Sequence, residues 1–211
     1  MDEIVKRAMQ KWPNVPNVFG WLRLDRRGNW LVKSRAARDG HPVFERITNA
    51  AVIEFIGRNY HPDERGRWFF QNGPQRVFVT LDHTPLVYRL GATHGGIETH
   101  TGARPRALRG AWLDDAGHFL VDSDLGPGVV LDRDLPAIEE RLRDENGVPL
   151  DEPALEALLA GRAAAGSAYL DLTGMALDKS RIAVERIASA ALPERFGFDP
   201  APRPAPGEPD C

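Results

Sequence analysis

Residues 24–32 read Leu24-Asp25-Arg26-Arg27-Gly28-Asn29-Trp30-Leu31-Val32, and residues 113–121 read Leu113-Asp114-Asp115-Ala116-Gly117-His118-Phe119-Leu120-Val121. The two stretches align without gaps, five of nine positions are identical, and Trp30 stands opposite Phe119. In each, an aspartate at the first place and a glycine at the fourth separate two apolar runs. That is the chemistry of a type I turn inside a hairpin. Each copy is followed by a loop and an apolar-faced helix. The repetition predicts two structurally related halves. The competing explanation is a common Asp-x-x-Gly turn that arose twice.

Working outward, Ile4, Val5, Ala8, Met9 and Trp12 recur at helical spacing, and Pro13 closes that helix. An extended connector follows at residues 13–17. Thr48 or Asn49 caps a second helix whose Val52, Phe55, Ile56 and Tyr60 share a face. Residues 67–90 read as a β-meander, with Asn72-Gly73 as a strong hairpin signal between Trp68-Phe69-Phe70 and Val77-Phe78-Val79. A short strand is expected at Ile97–Thr99. Two helices carry Leu135, Ile138 and Leu142, and Leu155, Leu158 and Leu159, the second capped by Asp151. Residues 168–172 and 182–187 alternate as strands do.

The predicted fold class is α+β: mainly antiparallel sheets and hairpins, a few packed helices, and two related halves. The expected division is 1–105, 106–198 and a disordered Pro-rich tail over 199–211, which lacks apolar anchors.

The chain has 211 residues, with 27 basic and 30 acidic side chains and a net charge of −3. Binding to a phosphate backbone needs a concentrated positive field, so nucleic acid is not an expected partner. The single cysteine, Cys211, excludes an intrachain disulfide and a thiolate metal site. The acidic start Met1-Asp2-Glu3 is unlike a signal peptide, and no apolar run is long enough to span a bilayer. A cytoplasmic location without membrane association is the expectation, and a homodimer is compatible with it.

The segments Trp12-Pro13-Asn14-Val15-Pro16, Gly20-Trp21-Leu22, Gly28-Asn29-Trp30, Arg58-Asn59-Tyr60 and Asp63-Glu64-Arg65-Gly66-Arg67-Trp68 stand in a distinctive order. With Phe70-Gln71-Asn72-Gly73-Pro74-Gln75-Arg76-Val77 they resemble a proteobacterial family catalogued as a domain of unknown function. The resemblance runs to Phe198 and is more specific in the N-terminal half. More distantly, the Gly-x-Trp hairpin, helix and Pro-containing meander are similar to a second family of unknown function. That family is an α+β protein with two related halves, proposed to act in signal transduction. The resemblance implies a binding or sensing role and supplies no catalytic residues.

Trp68, Gln71 and Arg76 are the candidate ligand-binding residues: an aromatic wall, an amide for orientation and a guanidinium for an anion. The same stretch also reads as ordinary hairpin chemistry. Strand alternation places Trp68 on one face and Gln71 on the other, and a two-residue loop at Asn72-Gly73 pairs Arg76 near Phe69. His94 and His100, with Glu98, Asp82 and His83 nearby, match no metal-ligand spacing. Asp122-Ser123-Asp124 starts like a calcium loop, but Arg133 stands where the bidentate glutamate belongs. Nucleophile elbows and phosphate-cradling glycine loops are absent from the sequence, and no cofactor is implied. The leading reading is a module that binds a small molecule or a protein in regulation or sensing. The alternative is an enzyme with a scattered site, with Asp25, His83 and Arg76 as participants.

Overall fold

A computed structural model describes residues 1–38, 41–91 and 96–208. Its elements form one six-stranded and one eight-stranded sheet with short helices, an α+β fold. The chain divides into a first unit, Met1–Pro85 with Phe196–Cys211, and a second, Leu86–Arg195.

In the first unit, α1 (Glu3–Lys11) turns Val5 inward and leaves Ile4 exposed. The first hairpin joins β1 (Val18–Leu24) to β2 (Trp30–Arg38) with Leu24 opposite Trp30. Its turn is held by one side chain. Asp25 Oδ1 accepts from the amides of Arg27 and Asn29 at 2.9 and 2.8 Å, and Oδ2 accepts from Asn29 Nδ2 at 2.8 Å. Then come β3 (His41–Arg46) and α2 (Ala50–Arg58), the latter capped by Asn49, whose Oδ1 accepts from Val52 N. The unit continues with β4 (Tyr60–Pro62), β5 (Trp68–Asn72) and β6 (Gln75–Leu81). The sheet runs β3-β2-β1-β6-β5-β4, and only β1–β6 is parallel.

The second unit holds β7 (Leu86–Leu90), β8 (Ile97–Thr99), β9 (Leu108–Asp114), β10 (Phe119–Ser123) and β11 (Gly126–Val130). It continues with α3 (Leu135–Glu139), β12 (Leu142–Arg143), α4 (Glu152–Leu159), β13 (Tyr169–Asp171) and β14 (Arg181–Ile187). The last helix is α5 (Leu192–Phe196). Within its sheet, β11-β10-β9-β14-β13-β12 repeats β3-β2-β1-β6-β5-β4 strand for strand. The parallel joint recurs at the same place, β9–β14, and β7 and β8 are added beyond β11.

The turn chemistry alone does not establish the duplication. Asp63 and Asp144 build the same turn as Asp25 and Asp114, each Oδ1 accepting two backbone amides at 2.7 to 3.0 Å. What relates the two halves is the shared strand order with its shared parallel joint. The registers agree as well: Gln71 N donates to Asn59 O at 2.8 Å, and Asp171 N donates to Arg141 O at 2.9 Å.

Two expectations are corrected. The division falls after Pro85 rather than at 105, because β7 and β8 pair into the second sheet. The tail over 199–208 is ordered instead of disordered. Asp199 N donates to Gly66 O at 3.0 Å and Leu81 N to Pro200 O at 2.8 Å. Glu208 pairs with Arg67, whose guanidinium also meets Asp63 at 2.8 Å. Apolar anchors are unnecessary where a segment supplies an anion to an arginine that is only 7% exposed. His94 and Cys211 lie outside the described residues.

The core of the first unit is aromatic. Tyr60 lies 5.0 Å from Trp30 and 4.8 Å from Trp68, and Phe55 of α2 meets Phe70 edge-on at 5.4 Å. Phe69 and Phe78 occupy the other face of β5 and β6, with their ring centres 5.7 Å apart.

The β5–β6 loop is Gly73-Pro74, closed by Asn72 opposite Gln75. Gly73 has φ +59°, and its nearest neighbour to an added Cβ, at 3.9 Å, is no obstacle. Gly73→Val should therefore lose about 1–3 kcal/mol through backbone strain alone. Urea denaturation measures this, and a variant as stable as the parent would show that the turn tolerates another conformation.

Candidate functional site

The same loop sets the geometry of the site. Glycine at the first central position and proline at the second give the type II′ arrangement, with Asn72 still in the ladder. Gln71 is therefore opposite Arg76, and the expected pairing of Arg76 near Phe69 is corrected by two residues. Opposed residues share a face, so Gln71 and Arg76 project together.

They line a concavity of about 480 Å³ with Met9 and Trp12 from the N-terminal helix and its end, and Asn14 and Asn17 from the connector. This volume lies within the range of small-molecule pockets. Arg76 is half-buried with its guanidinium 4.7 Å over the ring of Phe69, and it has no acidic partner among the described residues. Gln71 is 1% exposed and donates from Nε2 to Gly73 O at 2.9 Å. That bond fixes the amide, because the flipped form would set oxygen against oxygen. Its Oε1 is buried with no hydrogen-bond partner. Asn17 likewise directs Nδ2 to Glu208 at 2.9 Å, leaving its amide oxygen as an acceptor.

Trp68 does not join them. It is 6% exposed, packed against Tyr60 on the opposite face of the sheet with their rings tilted by 43°. The aromatic residue of the concavity is Trp12, 51% exposed, which sequence reasoning read only as part of a helix face. The available signal was its position at the end of that helix, immediately before Pro13.

The second half provides an internal comparison. Aligned through their parallel joints, Arg76 corresponds to Arg181, Gln71 to Asp171 and Phe69 to Tyr169. Arg181 lies 4.8 Å over the Tyr169 ring, as Arg76 does over Phe69. There, however, the polar groups are satisfied within the fold: Asp171 Oδ1 accepts from Thr173 N at 2.9 Å, and Arg181 donates to Glu145 O at 3.1 Å. The unpaired arrangement belongs to the first half only.

Residues proposed for an unconventional active site do not converge. Both carboxylate oxygens of Asp25 are occupied in its turn, and neither Asp25 nor His83 lines the concavity with Arg76. A Ser189, Asp114 and His118 cluster in the second unit has the wrong order for nucleophilic catalysis. Asp114 sits between the other two, accepting from Ser189 Oγ at 2.8 Å and contacting His118 Nδ1 at 2.9 Å. A serine nucleophile needs the imidazole beside its hydroxyl. Burial pushes the Asp114 carboxyl up, but hydrogen bonds from His118 and Ser189 outweigh it and hold it below its ordinary value.

Fold and site thus define an α+β protein of two similar sheet halves with a polar-aromatic concavity in the first. The chain belongs to the DUF2944 family, described as "Protein of unknown function (DUF2946)", which matches residues 1–203. It is also similar to the crystal structure of a DUF1285 family protein from Silicibacter pomeroyi DSS-3, at 17% identity and a TM-score of 0.44. That similarity covers 69% of this chain and 87% of the other. No curated protein matches the chain. Among the described residues, no helix is long and apolar enough to cross a membrane.

Proposed function

We propose that this protein is a cytoplasmic binding module with a sensing or regulatory role, and that it takes a small anionic ligand in the concavity of its first unit. The observation that carries the reading is the Gln71–Arg76 pair: a buried amide oxygen and a half-buried guanidinium, side by side, both without a hydrogen-bond partner among the described residues. An unsatisfied buried polar group costs about 1–3 kcal/mol, which a bound ligand recovers. The second half, which satisfies the corresponding groups internally, indicates that the fold itself does not require the cost.

Native mass spectrometry of protein purified from its own host tests this. The parent should retain an anionic molecule that Arg76→Ala and Gln71→Leu lose, with melting temperatures close to the parent. Retention undiminished in both variants would place the ligand elsewhere.

A further inference from the structure

We infer that the ligand of this concavity is a carboxylate carrying an adjacent uncharged N–H: an N-acylated amino acid, or the same group at the C-terminal residue of a peptide. The inference rests on the binding reading above and follows from the unfilled hydrogen-bonding capacity of the lining.

Gln71 and Asn17 each spend their amide nitrogen on the protein, on Gly73 O and Glu208 Oε1 respectively. What they offer a ligand is therefore oxygen. Two acceptors call for donors on the ligand. Arg76 offers only donors, in a planar fork that matches a carboxylate. Arg76 is also the one ionisable side chain lining the concavity among the described residues. A free amino acid would bring an ammonium group to a lining with no carboxylate to neutralise it, whereas an acylated one brings a neutral N–H and a single negative charge.

The spacing agrees. Residues directly opposed on neighbouring strands have Cβ atoms about 4.5–5.5 Å apart, so groups on one ligand carbon can reach both side chains. Trp12 and Met9 supply an apolar wall for the remaining substituent. Gln71 Oε1 is covered in this structure. Admitting the donor requires the lining to move; in α1 only Val5 is buried, and Trp12 is 51% exposed.

Calorimetric titration of the full chain with N-acetyl-leucine tests the class. N-acetyl-leucinamide lacks the carboxylate and N-acetyl-N-methyl-leucine lacks the N–H, and each should bind about tenfold or more weakly, the loss of one hydrogen bond that leaves its buried partner unsatisfied. Leucine itself should also bind less tightly. Arg76→Ala should abolish binding, and Gln71→Leu should erase the preference for N–H over N-methyl while the protein melts like the parent. A tripeptide ending in leucine that binds more tightly than N-acetyl-leucine would assign the peptide source; equal or weaker binding would assign the small molecule.

The inference is overturned if the amide or N-methyl compound binds as well as the parent compound, or if no N-acyl compound binds. Should a copurified ligand still depend on Arg76 in that case, the binding module stands and only the ligand class falls. Loss of both results would remove the binding reading itself.

Discussion

Removing residues 199–211 is expected to lower the melting temperature by roughly 6–12 °C, about 3 kcal/mol for breaking a buried ion pair at 2–4 °C per kcal/mol. The segment holds Arg67 through Glu208, at 2.7 and 3.2 Å, while Asp199 and Pro200 supply backbone bonds to Gly66 and Leu81. Arg67 stacks over Phe78 at 4.4 Å, so without Glu208 a cation remains at an aromatic surface with only Asp63 to balance it. Differential scanning calorimetry decides the matter, and an unchanged transition would show that the segment contributes nothing.

The same contact has a pH signature. Hydrogen bonds from Arg67 hold the Glu208 carboxyl at about 2, against an ordinary 4.5. A carboxyl depressed on folding stabilises the native state fully above its unfolded value, and that contribution disappears as pH falls toward the folded one. Between pH 4.5 and 2 the full-length protein should therefore lose stability more steeply than a Glu208→Gln variant.

Gly66→Ala is expected to lose about 3–5 kcal/mol, at the severe end for a single substitution. Gly66 has φ +74°, and a Cβ there would lie 2.0 Å from the carbonyl oxygen of Gly197. Strand-like pairing of Arg67 with Asp199 follows directly, so neither backbone can retreat without breaking that bridge. Gly20→Ala is the control: its φ is +70°, but nothing lies within 4 Å. Gly20→Ala should cost only the about 1–2 kcal/mol of a left-handed residue. Equal losses in chemical denaturation would mean that the close approach is relieved.

The hairpins, helix caps and β-meander were legible because their causes are local. Asp25 and Asp114 find their hydrogen bonds within four residues, and Asn49 finds its within three. The likeness of the two halves was visible as a sequence echo, but their common topology lies in strand pairing, which joins Leu24 to Leu81. What escaped depends on distant partners. No local pattern announces that Glu208 meets an arginine 141 positions earlier. Leu142 reads as a helix position because its apolar spacing fits, yet it pairs with Leu170 as a strand. The candidate site divided along the same line. Gln71 and Arg76 were visible as polar residues beside a turn, but their opposition depends on whether Asn72 lies in the loop or the ladder. Trp12 reaches the concavity only through the placement of α1.

The return of the C-terminal segment has a consequence for synthesis. The first unit is discontinuous: it needs residues beyond Phe196, although most of it ends at Pro85. On the ribosome, the intervening stretch takes roughly 5–20 s to make at 5–20 residues per second. During that interval Arg67 has emerged without Glu208, and the Gly66 carbonyl and Leu81 amide that Asp199 and Pro200 occupy later remain open. Until residues 199–208 emerge, the nascent first half lacks the partners that close it and stays open to mispairing.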